Sequence, residues 1–133
     1  MARKRTPHPT DGELEILDVL WKHGPAGLGP IREELNEHRD VAPTTVATML
    51  GVMRDKKLVR RRKTRRGYEW SAAVTHEEAA RGLVSHVLDR VFDGSASRLV
   101  THLVDAGNLS AAELRELKAA LDRNGNAPAK RRK

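Results

Sequence analysis

The stretch from Pro43 to Trp70, PTTVATMLGVMRDKKLVRRRKTRRGYEW, most constrains how this chain can fold, because it joins a helical pattern to a strand pattern with almost no linker. Val46, Met49, Leu50 and Met53 recur at helical spacing behind a proline suited to a first turn. This predicts a helix from about Pro43 to Lys57. At 100° per residue the opposite face carries Thr44, Thr48, Gly51 and Asp55, flanked by Thr45 and Val52. Leu58-Val59 ends the helix. Val59 to Lys63 and Tyr68 to Ala72 then read as two strands around a Thr64-Arg65-Arg66-Gly67 turn. Six of the seven residues from Arg60 to Arg66 are basic. A surface that only solvates mixes its signs, so this one is expected to hold a polyanion, mainly through phosphates.

Two helices are expected upstream. Thr10-Asp11-Gly12-Glu13 is a T-x-x-E capping box, followed by an apolar stripe of Leu14, Leu17 and Trp21 with Ile16 and Leu20 beside it. Gly24-Pro25 ends this helix near His23. After the GPAGLGP linker, Pro30 suits a first helical position, and Ile31 with Leu35 predicts a short helix to about Asn36. Three helices and a basic hairpin follow the order of a winged helix, whose third helix enters the major groove. In that arrangement Thr44, Thr45 and Thr48 face the bases, while Arg54, Arg61, Arg62, Lys63, Arg65 and Arg66 contact the backbone. Asp55 would repel phosphate. It is therefore expected at the helix end away from the groove, paired with a nearby Lys or Arg.

From Thr75 the pattern is helical throughout. Thr75-His76-Glu77-Glu78 is a second capping box, before Ala79, Ala80, Leu83, Val84, Val87, Leu88 and Val91, and Asp93-Gly94 closes that helix. Ser95 to Ala106 carries Leu99, Val100, Leu103 and Val104. Ser110-Ala111-Ala112-Glu113 opens a last helix with Leu114, Leu117 and Leu121. Helices this short do not easily bury so much apolar surface alone. They form either a self-contained core or, as a twofold DNA reader favours, a dimer interface through Leu83, Val84, Val87, Leu88, Val91, Leu99, Val100, Leu103, Leu114, Leu117 and Leu121.

Charge follows the same division. Residues 1–74 hold 15 Lys and Arg against 10 Asp and Glu, residues 75–123 hold 6 against 8, and residues from 124 onward hold 4 against none. The middle segment therefore suits a protein contact and the first suits nucleic acid. The expected fold is mainly α: residues 1–10 a disordered basic arm, 11–74 a winged helix-turn-helix domain of three helices and a two-stranded wing, 75–123 a helical dimerisation domain, and 124–133 a disordered basic tail.

Other function classes fare poorly. Aromatic residues are 3% of the chain, too few for a base-stacking platform. With no cysteine there is no disulfide framework and no thiolate metal site. No apolar run approaches a membrane span and the first ten residues lack a secretory pattern, so a cytoplasmic protein is expected. His8, His23, His38, His76, His86 and His102 are scattered, and none lies in an H-E-x-x-H motif. No catalytic site, metal or cofactor is expected. Two functions remain: a sequence-specific repressor, or a nucleoid-type architectural protein binding DNA without sequence preference. A winged helix used only as a protein-interaction module predicts no salt-dependent DNA binding.

Particular residues also carry a family likeness. Glu13-Leu14-Glu15-Ile16-Leu17 through Leu20-Trp21, Pro43-Thr44-Thr45-Val46 with Thr48, Leu50 and Lys56, Tyr68 with Trp70, Phe92-Asp93-Gly94-Ser95, Leu109-Ser110 and Glu113-Leu114 together resemble the penicillinase repressor family, the BlaI/MecI/CopY group. The resemblance covers about residues 11 to 122. It implies a homodimeric winged-helix repressor on inverted-repeat operators, with a C-terminal helical dimerisation domain. Family recognition-helix residues carry over onto Thr44, Thr45 and Thr48, while Val52 stands where the family often has Arg or Asn. In the antibiotic-sensing branch a membrane metalloprotease sensor triggers cleavage between Asn and Phe, and the matching pair here is His102 and Leu103. The copper-sensing branch carries C-terminal cysteines, which this chain lacks.

Overall fold

The computed structural model describes residues 8–125. The element order is α1 (Asp11–His23), α2 (Leu28–Asn36), α3 (Pro43–Asp55), β1 (Val59–Thr64), β2 (Gly67–Ala72), α4 (His76–Val91), α5 (Ala96–Asp105) and α6 (Ala111–Gly125). The fold is mainly helical with one hairpin, as the sequence predicts. Two compact units divide within α4, between Val87 and Leu88, rather than after residue 74. The start of α4 belongs with the first unit because Ala79 and Gly82 are buried. Nearby, Trp21 Nε1 donates to the Val74 carbonyl at 3.0 Å and its ring meets His76 edge-on.

In the first unit, α1 begins with the expected capping box: Glu13 N donates to Thr10 Oγ1 and Thr10 N donates to Glu13 Oε1. Pro9 is fully buried ahead of it, and the His8 ring stacks on His86 at 4.0 Å. The arm expected to be disordered through residue 10 is therefore packed at residues 8–10. Residues 1–7 of the arm, and the tail from residue 126, lie outside the described residues. Buried side chains of α1 centre on Ile16, Leu17, Val19 and Leu20, while Leu14 and Trp21 are only half-buried. The face has shifted because α1 packs against both α2 and β2.

Helix α2 starts at Leu28 behind an N-cap Gly27, earlier than Pro30 suggested. Proline is tolerated there because a first-turn amide has no intrahelical acceptor to lose. Ile31 and Leu35 meet Val46, Leu50 and Met53 of α3 in one core, closed by Leu58, Val59 and Trp70.

The hairpin is antiparallel, in register from Val59↔Ala72 to Thr64↔Gly67. Arg65 and Arg66 keep negative φ, so the positive φ of the turn falls to Gly67 at 119°. The sequence pattern missed one further strand-like pairing. Ala26, in the α1–α2 linker, bonds both ways with Trp70, N to O at 2.9 Å and O to N at 2.8 Å.

In the second unit, Ser95 caps α5 by accepting from Arg98 N, and Ser110 with Glu113 forms the predicted capping box of α6. Helix α5 ends in a Schellman arrangement: Gly107, at φ 81°, donates to the Val104 carbonyl and Asn108 N to that of Leu103. None of the described residues of this unit is fully buried. No helix among the described residues is long and apolar enough to cross a membrane.

Candidate nucleic-acid interface

Helix α3 has one face sunk in the core and one face open. Val46, Leu50 and Met53 have no exposed surface and Met49 is half-buried, which fixes the helix about its own axis. Thr44, Thr45, Thr48, Gly51, Val52 and Asp55 are then all exposed, as the periodicity predicts, and Arg54 is exposed as well. The three threonines offer hydroxyls and methyls from a slim helix, the equipment needed to approach base edges closely.

Several contacts hold this helix in place. Before it, Val41 is clamped at both backbone atoms: its N–H donates to Asn36 Oδ1 and its carbonyl accepts from Arg32 Nε, each at 2.8 Å. Along it, α1 comes so near at Gly12 that a Cβ there would sit 2.8 Å from Met49 Cε. After it, Lys57 N–H donates to the Arg54 carbonyl and Leu58 N–H to that of Met53, again a Schellman ending. Lys57 takes the left-handed position at φ 68°, where α5 uses glycine. The buried Met53 and Leu58 supply the apolar contact that accompanies this motif.

Glu13 does more than cap α1. Lys56 Nζ lies 2.7 Å from Glu13 Oε1, and the carboxylate is almost fully buried. Burial alone would raise the Glu13 pKa; the bond from Lys56, those from Thr10 and the Lys56 charge outweigh it and hold the carboxyl below its ordinary value. Asp55, expected to pair with a neighbouring cation, forms no ion pair with a described residue. Lys56, next to it in sequence, is engaged with Glu13. Asp55 shares the helical face of Thr44 and Thr48 but lies about 16 Å along the axis from Thr44.

In the wing, strand alternation puts Arg61 on the same face as Tyr68 and Trp70. The Arg61 guanidinium rests 3.9 Å above the Tyr68 ring centre, which leaves its charge intact but fixes its direction. Arg62 is paired across the strands with Glu69, Nη2 to Oε1 at 2.6 Å. The basic side chains expected to contact the DNA backbone are therefore not equivalent. Lys63, Arg65 and Arg66 around the turn are exposed and have no carboxylate partner among the described residues. Between wing and α3 lies an open cleft of about 810 Å³, whose walls include Ala47, Gly51, Arg61, Arg66, Tyr68 and Trp70.

The candidate dimer residues divide by exposure. Leu83, Leu88, Leu99 and Val100 are half-buried, whereas Val84, Val87, Val91, Leu103, Leu114, Leu117 and Leu121 are exposed. His102 and Leu103 lie inside α5, where the His102 carbonyl accepts from Ala106 N at 2.9 Å.

Comparison with known proteins gives a consistent result. The family described as penicillinase repressor matches residues 9–123. The transcriptional regulator BlaI of Mycobacterium tuberculosis is 32% identical over 123 residues, covering 88% of this chain and 89% of that protein. The penicillinase repressor of Bacillus licheniformis is 25% identical over 123 residues, covering 92% and 96% respectively. Among solved structures, the DNA-binding domain of the repressor BlaI matches with a TM-score of 0.50 at 26% identity, over 57% of this chain and 93% of that one. The portion matched is a winged-helix DNA-binding domain.

Proposed function

Because this chain belongs to the penicillinase repressor family, we propose that it is a DNA-binding transcriptional repressor that acts as a homodimer on inverted-repeat operators. The observation that carries this reading is the pairing of an exposed threonine face on a rigidly seated α3 with a cationic hairpin beside it. The threonine face reads base edges, and the hairpin supplies attraction that is blind to sequence.

Dimerisation is supported by the apolar residues left exposed on α4, α5 and α6. A second copy of the chain would cover them. It would also place two α3 helices on half-sites a helical turn, or a multiple of it, apart.

Release by a membrane metalloprotease sensor would require the cut between His102 and Leu103. That bond lies within a hydrogen-bonded helix, so α5 has to unwind locally before any protease reaches it.

The test is a competition shift assay on duplexes recovered by mapping the genomic binding sites in the native host. A repressor keeps its operator complex in excess random duplex. Loss of the operator complex to the random competitor would instead mark an architectural DNA-binding protein.

A further inference from the structure

Glu69 is the only acidic residue between Asp55 and Glu77. The register sets it opposite Arg62, and the two side chains meet at 2.6 Å. Among the six cations from Arg60 to Arg66, Arg62 alone has a carboxylate partner within the described residues. The two sides of the pair are unequally open: the Arg62 side chain is 76% exposed and that of Glu69 33%. An incoming anion therefore reaches the guanidinium first but finds its charge already answered.

A surface pair of this kind contributes little to stability, which makes the fold a poor reason for its presence. Its electrostatic effect on a polyanion is larger. Each cation that neutralises a phosphate releases a condensed counterion from DNA, and an arginine already paired with a carboxylate contributes little to that release.

We infer that Glu69 is an affinity-limiting residue of the DNA-binding wing: it holds Arg62 in an internal ion pair that a DNA phosphate has to displace. The inference rests on the DNA-binding reading above. Glu69 lowers affinity for every duplex by the same factor, so fewer copies of the protein are held on non-cognate sequence. Discrimination stays with the threonine face of α3.

The experiment measures binding of the full chain to a short random-sequence duplex across a salt series, for wild type, Glu69→Gln, Arg62→Gln and the double variant. Glu69→Gln is expected to tighten binding several-fold, on the order of tenfold near 0.1 M salt, and to steepen the log–log salt slope by about 1. Arg62→Gln alone is expected to weaken binding by no more than about twofold, because the cation it removes is already paired and the loss is felt only through the Glu69 carboxylate left without its partner. In the double variant the gain should vanish.

Unchanged or weaker binding by Glu69→Gln, with normal helical circular dichroism, overturns the proposal. So does an equal gain in the Arg62→Gln background, which would make Glu69 a diffuse charge acting on no particular arginine. A wild-type protein with no salt-dependent binding overturns the DNA-binding reading and this inference together, whereas salt-dependent wild-type binding with a silent Glu69→Gln overturns the inference alone.

Discussion

Lys56 Nζ sits 2.7 Å from Glu13 Oε1, tying the C-cap of α3 to the first turn of α1. One carboxylate thus caps a helix and anchors the candidate recognition helix. Replacing Lys56 with Ala leaves a buried carboxylate short of one donor, while the Thr10 backbone N–H still donates to it. The expected cost is about 1–2 kcal/mol, because Lys56 is itself partly exposed. A urea titration reads this as a lower midpoint with an unchanged slope.

The same pair sets a pH dependence. The folded pKa of Glu13 is lowered from 4.5, so its contribution to stability is present above that value and lost as pH falls through the folded pKa. Wild type should therefore lose stability on acidification below about pH 4.5, and Lys56→Ala should show a shallower loss over the same range. Parallel curves for the two proteins would refute the assignment.

Lys57 occupies a left-handed backbone position that costs an L-residue roughly 1–2 kcal/mol. Glycine there removes the strain but adds freedom to the unfolded chain, so Lys57→Gly should stabilise by about 0.5–1 kcal/mol. The measurement is the shift in thermal or urea midpoint.

Wing and helix should separate in DNA binding. Arg65→Ala with Arg66→Ala should weaken operator and random duplex alike and flatten the log–log salt slope by about 2. Thr48→Ala should instead erode operator preference by about 1 kcal/mol and leave the slope unchanged. Equal losses on both duplexes for Thr48→Ala would remove base reading from that residue.

Leu117→Glu with Leu121→Glu places charge on apolar positions that are 52% and 66% exposed. If a second copy covers them, sedimentation analysis should show monomers where wild type shows dimers. The circular dichroism of the helices should persist, because neither residue is buried in the single chain.

Local signals made much of this fold legible. Thr10 with Glu13, Thr75 with Glu78 and Ser110 with Glu113 each form the reciprocal bonds that their spacing announces. The 3.6-residue period placed Val46, Leu50 and Met53 inward and Thr44 and Thr48 outward without error. What stayed hidden depends on partners distant in sequence. A single residue such as Ala26, amid prolines and glycines, has no alternation to betray its bonds to Trp70. Glu13 reads as a cap because its second partner lies 43 positions away. Six basic side chains in the wing look equivalent until the register gives one a carboxylate and another an aromatic ring.

The two bonds between Ala26 and Trp70 pin the hairpin to the α1–α2 linker, since sliding would break both peptide contacts at once. The reach of the wing tip relative to the threonine face is consequently set by main-chain geometry. Wing side chains can therefore be exchanged, and the attraction for DNA raised or lowered, while the spacing between the two reading heads stays the same.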